Sequence, residues 1–246
     1  MINAQAAWTP TIRSASRTHC GKVRAINEDR VLDRPDIGLW AVADGMGGHL
    51  AGDHAAQMLV DAISRVEPHR SAFRYLSATL DAIKQVNAAL FAEAAGDPQR
   101  RGMGTTLVAL LVYDAHLACL WAGDSRAYRM RSGQLEQLST DHSVVQNLID
   151  RGDLAEQDRH RHPQSHVITR AVGVSPEIEL EKTFSIILPG DKFLICSDGL
   201  SNCLSDDALA DELISPLDSS QQADHLLERA LGTAATDNLS FVLLHA

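Results

Sequence analysis

The chain has 246 residues, 22 Lys plus Arg against 32 Asp plus Glu, and a formal net charge of −10, with 45% hydrophobic and 22% charged residues. These are the proportions of a folded domain long enough to bury a substantial core. The acidic balance argues against duplex nucleic acid and anionic membrane as main partners and leaves cationic ligands, metal ions included, open. No apolar run approaches the roughly 18 residues of a membrane span; the longest is Thr105 to Tyr113. Residues 1–17 lack the apolar core of a secretory signal. Cys20, Cys119, Cys196 and Cys203 form no C-x-x-C pair, so buried reduced thiols of a cytoplasmic protein are expected and a zinc cluster is not. At 4% aromatics, there is little to build a base-stacking platform.

No internal repeat or low-complexity linker divides the chain, and one domain over 1–246 is expected. Ile37 to Ala43 is a short apolar run that ends abruptly at Asp44-Gly45, the mark of a buried strand. Ala55, Met58, Leu59, Ala62, Ile63 and Val66 recur at helical spacing and predict a helix over about 51–66. Phe73, Leu76, Leu80, Ile83 and Leu90 predict a longer one over about 70–95, stopped at Gly96-Asp97-Pro98. The period then shortens. Thr105 to Tyr113, His116 to Ala122, Ala127 to Met130 and Leu135 to Leu138 read as strands joined by turns at Asp114, Gly123-Asp124 and Ser132-Gly133. Residues 141–165 read as a helix followed by an irregular polar excursion. Ile178 to Leu188 alternates, and Pro189-Gly190-Asp191 followed by Lys192 to Cys196 signals a hairpin. Ser219-Ser220-Gln221-Gln222 reads as a capping box for a helix through Leu231, and Leu239 to Leu244 as a closing strand. Antiparallel runs separated by long helices predict an α+β layered sandwich.

Four aspartates share one setting. Asp44, Asp124 and Asp198 each directly follow an apolar strand, and Asp237 directly precedes one. A charge at the margin of a buried strand is costly unless compensated. Any one of them reads equally as turn chemistry or a helix cap. All four, with Glu28-Asp29, are harder to explain that way. Many carboxylates with few Cys or His suit a hard, oxygen-loving cation, Mg²⁺ or Mn²⁺. The glycine-rich segment from Asp44 to Asp53 matches neither a dinucleotide fingerprint, since Leu50 stands where that needs Gly or Ala, nor a P-loop. A loop giving one Asp and backbone carbonyls to a metal fits better.

Seven motifs occur in order: Arg24-Ala-Ile-Asn-Glu28-Asp29, Val42-Ala-Asp44-Gly45-Met46-Gly-Gly-His49, Gly104-Thr-Thr106, Ala122-Gly-Asp124-Ser-Arg126, Ile168-Thr-Arg-Ala-Val-Gly173, Cys196-Ser-Asp198-Gly199 and Thr236-Asp237-Asn238. Together they resemble the metal-dependent Ser/Thr protein phosphatases of the phosphatase 2C type (PPM) in their compact bacterial form. The resemblance implies a four-layer α-β-β-α sandwich of two antiparallel sheets flanked by helices, with a flap over about 141–172 beside the metal cleft. It implies a phosphoprotein phosphatase in which two Mn²⁺ or Mg²⁺ ions activate a bridging water for direct attack on phosphoserine or phosphothreonine, with no phospho-enzyme. Asp44 would bridge both metals, and Asp198 and Asp237 would complete the first site. The Gly45 carbonyl would serve the second, with Glu28 nearby and Asp29 acting through water. Asp124 matches a residue that, with Asp198, helps hold a weaker third ion. Arg24 matches the arginine that grips the substrate phosphate.

The implied partners are phosphorylated proteins and a cognate Ser/Thr kinase whose action the enzyme reverses, with no nucleic acid or membrane; a monomer is expected. Two other readings stand beside it: a non-catalytic phosphoprotein-binding module on the same fold, which would usually have lost metal ligands, and a hydrolase of small phosphoesters. Two departures matter. Met46 stands where eukaryotic members carry a histidine proposed as general acid, and a thioether cannot transfer a proton. His49 is close by but is expected to be structural or solvent-facing. In the flap, Arg159, His160, Arg161, His162, His166 and Arg170 form a basic cluster that would suit an acidic phosphopeptide or simply face solvent.

Overall fold

The computed structural model describes residues 10–47, 51–100 and 102–246. Two antiparallel sheets stack face to face. The first has the strand order β1 (Arg13–His19), β11 (Leu239–His245), β10 (Lys192–Cys196), β7 (Arg126–Arg131), β8 (Gln134–Gln137). The second has the order β2 (Asp29–Arg34), β3 (Leu39–Met46), β5 (Leu107–Tyr113), β6 (His116–Ala122), β9 (Glu181–Ile186), and the short β4 (Gly104–Thr105) also pairs with β3. Trp40, Val42, Val108 and Leu110 of one sheet meet Phe193, Ile195, Val242 and Leu244 of the other in a buried layer.

The opposite face of the second sheet, through Leu39, Ala41, Leu107 and Ala109, packs under α1 (Ala51–Ser64) and α2 (Ala72–Gly96). The outer face of the first, through Tyr128, Leu194, Phe241 and Leu243, packs under α4 (Asp198–Cys203), α5 (Asp206–Ile214) and α6 (Ser219–Leu231). This is the α-β-β-α sandwich expected from the sequence. Its central strands are covered on both faces, which is why they read as continuous apolar runs rather than clean alternation. No helix among the described residues is long and apolar enough to cross a membrane. All four cysteines are free, and burial pushes the Cys119 and Cys196 thiols up to about 12, which makes them inert packing groups.

The predicted helices over 51–66 and 70–95 are present as α1 and α2. Three local readings change. The run from Ile178 to Lys192–Cys196 is not a hairpin: β9 pairs with β6, and β10 pairs with β11 and β7. The turn at Pro189–Asp191 carries the chain from one sheet to the other. Asp191, buried, fixes that crossing by pairing with Arg131 (2.6 Å) and accepting from Leu188 N (2.8 Å). The strand expected over 105–113 divides into β4 and β5 because the Thr106 N–H turns aside to Asp44 O (2.8 Å). The polar stretch after residue 141 is as expected, a short helix, α3 (Val144–Asp150), followed by irregular chain with a 3₁₀ turn at Glu156–Arg161.

The α6 cap is Asp218 rather than Ser219: its side chain accepts from Gln221 N (2.9 Å), while Gln222 is buried and bonds elsewhere. Asp218→Ala is therefore expected to cost about 1 kcal/mol in urea unfolding, and Ser219→Ala distinctly less; the reverse order would restore the capping box.

Candidate functional site

Every carboxylate singled out in the sequence lies at the margin of a sheet strand. Asp44 is near the end of β3, Asp124 in the turn between β6 and β7, Asp198 at the junction of β10 and α4, and Asp237 just before β11. Glu28 directly precedes β2, and Asp29, its first residue, pairs across the ladder with Asp44. These margins meet in one cleft of about 690 Å³, lined by Arg24, Glu28, Asp44, Gly45, Asp124, Asp198 and Asp237 among others. Asp29 lies beneath them, 2% exposed.

The backbone around the cleft is held by side chains in the quoted motifs to which the sequence assigns no role. Thr106 Oγ1 accepts from Asp44 N (3.0 Å) and hydrogen-bonds Ser125 Oγ (2.8 Å), so it ties the Asp44 strand to the Asp124 turn. Asn238 accepts from Glu28 N (2.9 Å) and donates to Cys20 O (3.1 Å) and Ile26 O (3.0 Å). It thereby staples the loop bearing Arg24 against the strand that follows Asp237. At Gly45 a Cβ would stand 2.1 Å from Gly52 O and 2.7 Å from Glu28 O, so only glycine lets the start of α1 close onto β3. Gly21, at φ +74°, is crossed as closely by Asp237 O.

The electrostatics are those of crowded like charges. Burial pushes the Asp29 carboxyl up to about 7, with added repulsion from Asp198 and Asp237 and opposing hydrogen bonds from Ser240 and Ser197. Burial, then Asp198 and Asp141, push Asp124 up to about 8. Asp44 is raised well above the carboxylate range by burial and by Asp29, Asp198, Asp124 and Asp237, and Asp198 is raised by burial and Asp237. Arg24 reaches in from the rim and donates from Nη2 to Asp237 Oδ2 (2.7 Å).

As the side chains stand, no group of three or more His, Cys, Asp or Glu among the described residues is set to grip an ion. Their arrangement shows why. Asp237 is turned to Arg24 (2.7 Å), and the buried Asp44 and Asp198 carboxyls crowd each other. Two observations nonetheless fit a divalent cation. The donors are all oxygens in a cleft rich in negative charge, the chemistry hard cations select. The buried Asp29 Oδ1 has no hydrogen-bond partner, although Ser197 Oγ donates to its Oδ2 (2.8 Å).

Beside the cleft, the flap corrects one expectation. Arg159 is 7% exposed and points inward. It donates to Asp141 Oδ2 (3.3 Å) and Glu156 Oε1 (2.6 Å), while Arg126 forks onto the same Asp141 (2.9 and 2.7 Å). Arg170 is spent on Glu179 O and Glu181 (both 3.3 Å). Neither arginine is free for a peptide; of the predicted basic cluster, His160, Arg161 and His166 are exposed and His162 is half-buried. Sequence could not show this, because Asp141, 18 residues away, reaches Arg159 only through the fold. His49 falls outside the described residues.

The Protein phosphatase 2C family model matches residues 18–234. The serine/threonine protein phosphatase PstP of Mycobacterium tuberculosis is 37% identical over 235 residues, which are 96% of this chain but 45% of that protein, so the chain spans less than half of that relative. The structure of PppA, described as a key regulatory component of T6SS in Pseudomonas aeruginosa, superposes with a TM-score of 0.89 at 42% identity, covering 97% of this chain and 99% of that one. The catalytic domain of PstP in complex with two manganese ions gives 0.84 at 36% identity, with 95% and 97% covered. With that family model matching most of its length, this chain belongs to the protein phosphatase 2C family.

Proposed function

We propose that the chain is a metal-dependent phosphatase of phosphoserine and phosphothreonine proteins, working as one catalytic domain in the cytoplasm to reverse a Ser/Thr kinase. The observation that carries this is the convergence of Asp44, Asp124, Asp198, Asp237 and Glu28 on one cleft with Arg24 at its rim. In this reading Asp44, Gly45, Asp198 and Asp237, with Glu28, hold two Mn²⁺ or Mg²⁺ ions; Asp29 supports them from below, and Asp124 with Asp198 takes a weaker third. Bound, the cations supply an activated water and offset the phosphate's charge. The manganese in the PstP catalytic domain supports the choice of ion.

The chain's own residues do the rest. Thr106 and Asn238 fix the backbone on which the carboxylates sit. The Arg24 guanidinium, freed from Asp237 when that carboxylate turns to a cation, presents its planar fork to the phosphate oxygens. Retention of every candidate ligand disfavours a purely non-catalytic binding module. The test is phosphate release from a phosphothreonine peptide: release that requires Mn²⁺, stops with EDTA and returns on reloading supports the reading. Metal-loaded protein that releases no phosphate from any phosphopeptide overturns it, and faster turnover of small phosphorylated metabolites would favour a small-phosphoester hydrolase instead.

Arg24→Ala is expected to raise KM for the phosphopeptide about tenfold or more with a smaller change in kcat, the pattern of lost substrate binding. Steady-state kinetics at saturating Mn²⁺ check it, and an unchanged KM removes Arg24 from the phosphate.

A further inference from the structure

Exposed apolar side chains mean little when scattered over a surface and more when they gather at one place. Among the described residues, Val23 (68% exposed), Ile26 (47%), Val167 (44%) and Val174 (38%) gather around the cleft. Val23 lines it, as do the half-buried Met46 and Ile168. Ile26 lies between Arg24 and Glu28, and Val167 between His166 and Ile168, residues that line it too. Val174 closes with Met46 over Gly104, where a Cβ would stand 2.8 Å from Val174 Cγ1 and 3.1 Å from Met46 Cε. An acidic cleft is thus edged with apolar groups from the loop before β2, the end of β3, the flap and the chain just after it.

The backbone behind each of these side chains is held. Lys22 N donates to Ala235 O (2.8 Å) and the Asn238 amide to Ile26 O (3.0 Å), which fixes the chain on both sides of Val23. Ile168 bridges to Ser143, and Thr169 N donates to His142 O (2.7 Å). Asn87 of α2, 1% exposed, brackets Val174: its Oδ1 accepts from Gly173 N (2.7 Å) and its Nδ2 donates to Ser175 O (3.0 Å). Groups anchored in this way lose little freedom on meeting a ligand. What meets them follows from the cleft. With the phosphate among the carboxylates and Arg24, the residues on either side of the phosphorylated one, each about 3.8 Å away from Cα to Cα, cross this edge.

Resting on the phosphatase reading above, we propose that Val23, Ile168 and Val174, with Met46, determine substrate specificity by receiving apolar side chains next to the phosphoserine or phosphothreonine. A leucine there leaves water for the apolar edge. A serine gains nothing from it, and a charged side chain loses part of its hydration. Met46 has a part in this that needs no proton: a flexible thioether fits side chains of varied shape.

The experiment uses two phosphothreonine peptides that differ only in the two residues flanking the phosphothreonine, leucine in one and serine in the other. With the Mn²⁺-loaded protein, kcat/KM is expected to be about tenfold higher for the leucine peptide, the scale on which an apolar pocket discriminates. In the double variant Val23→Ser/Val174→Ser that ratio is expected to fall to about threefold, and to about one when Ile168→Ser is added. The ratio is read within each variant, so a general loss of activity or stability cancels. A ratio near one in the wild type, or a tenfold ratio that survives in the double variant, would overturn the assignment while leaving the phosphatase reading intact. So would a dimer in light scattering that the double variant dissociates, since a second copy would then cover the edge. Wild-type protein that releases phosphate from neither peptide would overturn the phosphatase reading, and the assignment with it.

Discussion

Asp44→Ala is expected to abolish Mn²⁺-dependent phosphate release, by about 10³-fold or more, the scale on which a lost transition-state electrostatic group is felt. The same variant in EDTA is expected to melt above the wild type. Asp44 stands at the centre of the repulsion: its carboxyl is raised by burial and by Asp29, Asp198, Asp124 and Asp237. Removing it relieves the metal-free protein while disabling the metal-loaded one. Asp237→Ala should lose activity likewise, but it also strands Arg24, which now pairs with it, so its apo melting point should gain less. Calorimetry and melting scans with and without Mn²⁺ separate the two effects. Undiminished Mn²⁺ binding in both variants would remove these residues from the metal site, and a lower apo melting point for Asp44→Ala would show that the carboxylate supports the fold rather than straining it.

The second large effect is on stability against pH. Asp29 is raised from an ordinary 3.8 to about 7 and Asp124 to about 8, in both cases first by burial. A folded-state pKa above the unfolded one means that the native protein binds the proton more tightly. The stability this contributes is therefore complete below the unfolded value and is lost as pH rises, the loss being full once pH passes the folded values. In EDTA the protein is expected to lose on the order of 2–5 kcal/mol between pH 5 and 8.5. Mn²⁺ should reverse that trend, because bound cations favour the ionised carboxylates. Chemical denaturation at several pH values with and without Mn²⁺ measures both slopes. An apo protein whose stability is flat or rising over that range would show that the acids are ionised and compensated without metal.

The six acids were legible in the sequence for one reason. Each adjoins or begins a short strand, and a charged group there has no cheap explanation. Glycine at 45 was legible only as a carbonyl offered to a metal; the structure adds the steric reason for glycine there, the approach of the Gly52 and Glu28 backbones. The long helices were legible because each packs one face on the second sheet and keeps the other in water, which writes a 3.6-residue period.

Strands β1 and β2 left little trace. They are edge strands, and in β1 only Ala15 is buried, so no alternation forces itself into the composition. The short α4 and α5 were too brief to show a period.

What the sequence determined by itself was the inventory: which residue types stand at strand margins, in what order, and hence the family and the kind of ion they suit. What only the tertiary structure decided was partnership. The turn at Pro189–Asp191 has the same local chemistry whether its flanking strands pair together or part to different sheets, and the contacts of Asp191 with Arg131, 60 residues away, settle it. Arg159 reads as a surface cation until Asp141 and Gln146 close around it. His166 is one basic residue among six until the fold sets it at the cleft rim. Propensity and period act over a few residues, whereas a buried charge is satisfied by groups that only folding brings near.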